Sequence, residues 1–106
     1  MSDRILSFLG LAEKAGKAET GGFAVDKAVK DGRAYLVIVA SDASARTRKS
    51  LSDLCAYYHV AMRIYADKET LGAAAGKDGR SCVAITDSGF AKALEKKLIS
   101  AEEKDR

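Results

Sequence analysis

Two rhythms of apolar residues alternate along the chain. Ile5, Leu6, Leu9 and Ala12 recur at helical spacing over residues 4–15, and Gly16 is a fitting stop. Gly21-Gly22 opens a second helical run with Val25, Ala28 and Val29 as its stripe, ended by Gly32. Tyr35-Leu-Val-Ile-Val-Ala40 is continuous and rich in β-branched residues, the pattern of a strand buried on both faces at the centre of a sheet. Ser44 can cap a third helix carrying Leu51, Leu54, Cys55 and Tyr58 up to His59. Met62 to Tyr65 reads as a second strand, and Asp67 caps a helix with Leu71, Ala74 and Ala75 that stops at Gly76. Cys82 to Thr86 is another buried strand, and Asp87 or Ser88 starts a last helix through Phe90, Ala91, Leu94 and Leu98.

Helices and strands alternating at this length predict an α/β fold, a layered α/β/α sandwich with helices on both faces of a small sheet. A fourth strand can lie at Lys17 to Thr20, and the pattern leaves the strand order open. With 106 residues, no proline-marked linker and no internal repeat, residues 1–100 are expected to be one domain. Residues 101–106, AEEKDR, are expected to be a charged, frayed tail.

Composition narrows the class. An apolar share of 47% beside 31% charged residues is that of a globular chain with a core. Cys55 and Cys82 stand far apart in apolar surroundings, without a CxxC pair, and read as buried thiols in a reducing compartment. Asp3, Arg4 and Glu13 break up the apolar start and no small-residue cleavage site follows, so export is not expected and the location expected is cytoplasmic. No run approaches the ~18–20 apolar residues of a membrane helix, so no membrane partner is expected.

Chemistry of the enzymatic kind is hard to assemble. Gly10 to Lys17 and Gly72 to Lys77 imitate a phosphate loop, but their glycine spacing is wrong and neither has the hydroxyl residue after its lysine. His59 and Cys55 share a helix face without the further ligands zinc needs. Asp42, Ser44 and His59 include the residue types of a hydrolase triad, yet no spacing sets the histidine on the serine, and turn or cap roles suit Asp42 and Ser44 better. No catalytic residue, cofactor or metal is assigned.

Charge points elsewhere. The net charge is +3, and from Lys14 to Lys49 eight basic residues face four acidic ones. Gly21-Gly22 ahead of a helix combines unpaired N–H groups, a partial positive charge and room for a phosphate to approach, although turn and cap duty alone would also explain the glycines. Lys27 and Lys30 follow on the same helix. Phe23 at its mouth is either a staple that pins the incoming chain to the core or a stacking face for an unpaired base. Arg46, Arg48 and Lys49 open the third helix, and Lys77 and Arg80 sit in the loop 76–81. All three groups fall at helix–loop junctions where one shared face can form.

Leu9-Gly-Leu-Ala-Glu-Lys-Ala-Gly-Lys17, Gly21-Gly-Phe-Ala-Val-Asp-Lys-Ala28, Leu36-Val-Ile-Val-Ala-Ser-Asp-Ala-Ser44, Leu71-Gly-Ala-Ala-Ala-Gly-Lys77 and Val83-Ala-Ile-Thr-Asp-Ser-Gly-Phe-Ala91 occur in an order that resembles the ribosomal L-seven-Ae and L-thirty-e superfamily, and within it the small bacterial YlxQ-type members. The likeness runs from about Ile5 to Leu98. It implies a three-layer α/β/α sandwich around a mixed four-stranded sheet. It also implies binding to kink-turn RNA, a sharply bent duplex with tandem G·A pairs. Structured RNA, of kink-turn or ribosomal kind, is the implied partner, with the ribosome or translation factors as further candidates.

Members of that family place the start of the second helix in the groove at the G·A pairs and cover a flipped-out base with the loop before the last strand. Those parts correspond to Gly21 through Lys27, of which Gly21 and Lys27 match the motif, and to Lys77 through Ser81. Strong kink-turn binders read Gly-Thr-Asn-Glu at the helix start. Gly21-Gly22-Phe23-Ala24 lacks that Asn–Glu pair, so contacts through backbone and charge are expected in place of base-edge hydrogen bonds. With the basic groups of the charge pattern added, the site expected is Gly21, Gly22, Phe23, Lys27, Lys30, Arg46, Arg48, Lys77 and Arg80. Two rival readings are a protein-interaction module of the translation machinery and a substrate-recruiting domain related to those attached to RNA methyltransferases, which would need a separate enzyme.

Overall fold

The computed structural model describes residues 3–77 and 79–104. Five helices and four strands alternate: α1 (Arg4–Lys14), β1 (Ala18–Thr20), α2 (Gly22–Lys30), β2 (Leu36–Val39), α3 (Ala45–Tyr58), β3 (Ala61–Ile64), α4 (Lys68–Ala74), β4 (Cys82–Ile85) and α5 (Ser88–Lys104). The sheet has the order β1-β4-β2-β3. β4 runs antiparallel to both β1 and β2, and β2 runs parallel to β3, with α3 as the crossover.

The two middle strands are buried throughout, because each has a helical layer on either side. Leu36, Ile38, Val83 and Ile85 face α1, α4 and α5, where Leu9, Leu71 and Leu94 complete one core. Val37, Val39, Cys82 and Ala84 face α2 and α3, where Val25, Val29, Leu51 and Cys55 complete the other. One strand thus feeds two cores by simple alternation. β1 has only three residues and is a strand by virtue of its partner, Ala18 standing opposite Ile85 and Thr20 opposite Val83.

Helix ends follow the side chains present. Asp3 accepts the N–H groups of Ile5 and Leu6, Ser44 that of Thr47, Asp67 that of Thr70, and Asp87 that of Phe90. His59 closes α3 in the left-handed region at φ 58°. Three expectations change. Tyr35 precedes the ladder, donating its N–H to Ile85 O at 2.8 Å, and its side chain is 52% exposed. Tyr58, placed on the apolar stripe of α3, is also exposed, as the last residue of that helix. α5 continues past Ser100 to Lys104, so part of the expected tail is helical: Ala101 packs on the core and Arg63 on β3 pairs with Glu95 and Glu102. The end of that tail, 105–106, and Asp78 of the loop 76–81 lie outside the described residues.

Both thiols are buried. Burial, with a contribution from Cys82, pushes Cys55 up to about 11. Burial also raises Cys82, against the Gly21 N–H and the charge of Arg80, which pull the other way. Both are therefore protonated at neutral pH and shielded. Ellman's reagent at pH 7.5 should leave both unreacted in the folded protein and modify both in denaturant; rapid labelling of the native chain would contradict this packing.

Candidate nucleic-acid interface

Strand register gathers several basic groups at one end of the sheet. Thr20 pairs with Val83 and Val39 with Cys82, so the ends of β1 and β2 lie beside the start of β4. α2 begins directly after β1, α3 begins shortly after β2, and Arg80 stands just before β4. These are the junctions at which the sequence puts Gly21, Gly22, Phe23, Arg46, Arg48 and Arg80.

The start of α2 is open. Its N-cap is Gly21, at φ 94°, which provides no side-chain cap, and no acidic residue stands in the first turn. Gly21 donates its N–H to Cys82 O at 3.1 Å, tying the helix start to β4, and its carbonyl accepts the N–H of Val25. Among the described residues, the N–H groups of Gly22, Phe23 and Ala24 have no acceptor. Three donors and the positive end of a helix dipole face outward together.

Two arginines flank this end. A Cβ on Gly21 would lie only 2.8 Å from Arg80 Nη1, so the guanidinium lies across the glycine. Arg46 and Thr47 of α3 line a shallow groove with Gly22 and Asp26 of α2. Arg46, Arg48, Lys77 and Arg80 make no ion pair among the described residues. Phe23 is 86% exposed. The staple reading is therefore excluded: the ring packs on neither core and stands at the mouth of the open helix end.

The lysines of α2 differ. Lys27 pairs with Asp31 at 3.1 Å and Lys30 with Asp26 at 3.0 Å, both four residues apart on the helix. The Lys27 ammonium beside Asp31 holds that carboxyl below its usual range, with Arg33 helping. Lys30 is also about 12 Å along the helix from Gly22, at 1.5 Å per residue. In the sequence Asp26 and Asp31 entered only the charge balance from Lys14 to Lys49, although their i,i+4 spacing from Lys30 and Lys27 marks them as partners. Lys77 is exposed in the connection from α4 to β4. Gly72, buried beneath that connection, appears in the sequence only in the Leu71-Gly72 block and as the first glycine of the segment that imitates a phosphate loop.

Residues of the alternative chemistries lie apart. Ser44 starts α3 and His59 ends it, about 20 Å away by helical rise, while Asp42 accepts the N–H of Lys68 at 2.8 Å. Among the described residues, no group of three or more His, Cys, Asp or Glu could hold a metal ion, and no helix is long and apolar enough to cross a membrane.

Comparison with known proteins gives concordant results. Residues 3–95 match the model of the Ribosomal protein L7Ae/L30e/S12e/Gadd45 family. The chain is 42% identical over 86 residues to "RNA-binding protein YlxQ" of Bacillus subtilis (strain 168), covering 81% of this chain and 86% of that one. It is 34% identical over 98 residues to "Large ribosomal subunit protein eL8" of Cenarchaeum symbiosum (strain A), covering 92% and 78%. A solved structure from Bacillus halodurans C, of a protein with unknown function, superposes with a TM-score of 0.86 at 38% identity over 90% of this chain and 96% of that one. The Giardia lamblia 15.5kD RNA binding protein shares the fold, with a TM-score of 0.78 at 19% identity over 94% and 92%.

Proposed function

Because the chain belongs to the Ribosomal protein L7Ae/L30e/S12e/Gadd45 family, we propose that it is a cytoplasmic RNA-binding protein, without catalysis of its own, that holds bent RNA of the kink-turn type at the open end of α2. The observation that carries this reading is the uncapped start of α2 between two unpaired arginines. An open helix end with free N–H groups suits a phosphate or a base edge, and Arg46 and Arg80 suit the phosphates on either side.

Roles divide by position. Gly21 and Gly22 let the backbone come close, Phe23 stacks on an unpaired base, and Arg48 and Lys77 add attraction along the same end. Lys27 and Lys30 leave solvent-exposed ion pairs that water and salt already weaken, so exchanging a carboxylate for a phosphate costs little. With Phe23-Ala24 in place of Asn and Glu, the bend of the RNA is recognised more than its bases. A structured RNA, in the ribosome or beside translation factors, is the partner this predicts.

The test is fluorescence anisotropy with a kink-turn RNA and a straight duplex of equal length, across a salt series. The kinked RNA should bind more tightly at every salt concentration. Phe23→Ala should weaken that binding by about tenfold, the scale of one lost stacking contact, while leaving the melting temperature unchanged. Equal binding of the two RNAs would remove the kink-turn reading.

Binding of neither RNA would favour the second reading, a protein-interaction module of the translation machinery. Exposed Tyr35, Tyr57 and Tyr58 support it. They lie at the other end of the sheet, where β2 and β3 begin, and Tyr57 and Tyr58 pack edge to face at 4.9 Å.

A further inference from the structure

Gly72 is buried in α4, and its carbonyl accepts the N–H of Lys77 at 2.8 Å, so the chain leaving the helix turns back against it. A Cβ at this position would overlap Lys77 O and lie 2.9 Å from Arg80 N and 3.1 Å from Gly79 N. All three are backbone atoms, which cannot rotate aside as a side chain would. Anything larger than glycine must push the connection away from the helix.

The other end of the same connection carries Arg80, whose guanidinium lies across Gly21 at the start of α2. Two glycines from distant parts of the chain therefore hold one arginine: Gly72 receives its backbone and Gly21 its side chain. Lys77 N and Arg80 N, both seated by Gly72, bracket the turn that passes through Gly79 at φ 74°.

We propose that Gly72 is a positioning residue for RNA binding: by seating the connection against α4, it sets the Arg80 guanidinium beside the open N-terminus of α2. This rests on the RNA-binding reading above. Gly72 touches no RNA and acts through Arg80 alone.

A double-mutant cycle with a kink-turn RNA at fixed salt tests it. Arg80→Ala should lower affinity by about tenfold, the scale of one charge-assisted contact, and Gly72→Ala by a similar factor. The double variant should bind no more weakly than Arg80→Ala alone. A merely structural role for Gly72 would not give that result, because a loosened fold would weaken binding in either background.

Parent-like binding by Gly72→Ala, with Arg80→Ala weakened, overturns this inference and leaves the RNA reading intact. Losses that multiply in the double variant overturn it as well. If Arg80→Ala binds as the parent does, Arg80 is not at the interface and this inference falls, while RNA binding by the parent still stands. Should Gly72→Ala fail to fold, Gly79→Ala replaces it in the cycle: its methyl meets nothing within 4 Å, but alanine resists the positive φ and shifts the same connection. Non-additivity with Arg80→Ala is again expected, and additive losses again overturn the proposal.

Discussion

Reversing Arg46 and Arg80 together to glutamate lowers affinity for a kink-turn RNA by about a hundredfold or more. Each arginine supplies a charge-assisted hydrogen bond to phosphate worth about 1.5–3 kcal/mol, and two such contacts span at least two decades of dissociation constant. Reversal adds repulsion where the donors of α2 remain. Neither arginine has an ion pair to lose among the described residues, so the melting temperature should hardly move. The slope of log affinity against log salt should flatten by roughly two units, at about 0.9 per phosphate released. Lys92→Glu with Lys96→Glu is the control, since it changes net charge equally on exposed positions of α5. A comparable loss in the control would reduce the site to bulk charge.

The largest loss of stability is expected from Ile38→Ala. Ile38 is fully buried on a central strand, facing the core of α1, α4 and α5. Removing its side chain should cost about 2–5 kcal/mol, a large share of the ~5–15 kcal/mol that holds a domain of this size. The melting temperature should fall by roughly 10–25 °C. Ile64, at the end of the edge strand β3 and 46% exposed, provides the comparison. Ile64→Ala should cost less than about 1 kcal/mol, and equal losses at the two positions would mean that β3 is covered in solution.

Periodicity made the helices and the two central strands legible, because an element with a helical layer on each side must be apolar throughout and a helix with one buried face must repeat. Short elements were harder. β1 owes its existence to β4, far along the chain, and only the family resemblance implied a four-stranded mixed sheet. Tyr35 and Tyr58 looked like core residues because their neighbours are; Tyr35 stands just ahead of β2 and Tyr58 is the last residue of α3, and neither is buried there. Phe23 carried two readings in the sequence, and packing removed one. At the site, Gly21, Gly22 and the basic residues could be named from local pattern. That Arg80 lies over Gly21, and that Gly72 makes room for it, depends on contacts between segments that no local rule connects.

The hydrogen bond from Gly21 to Cys82 also sets an order of events during synthesis. β2, α3 and β3 are contiguous, and β2 and β3 can pair as soon as they emerge from the ribosome. β1 and the start of α2 have no such neighbour: their partner is β4, far along the chain. A nascent chain that has not yet made β4 thus lacks the partner that assembles its proposed RNA-contacting end. Retention of RNA would begin only once β4 has been made and has paired, so a chain cut short before β4 would not compete with an assembled one for its partner.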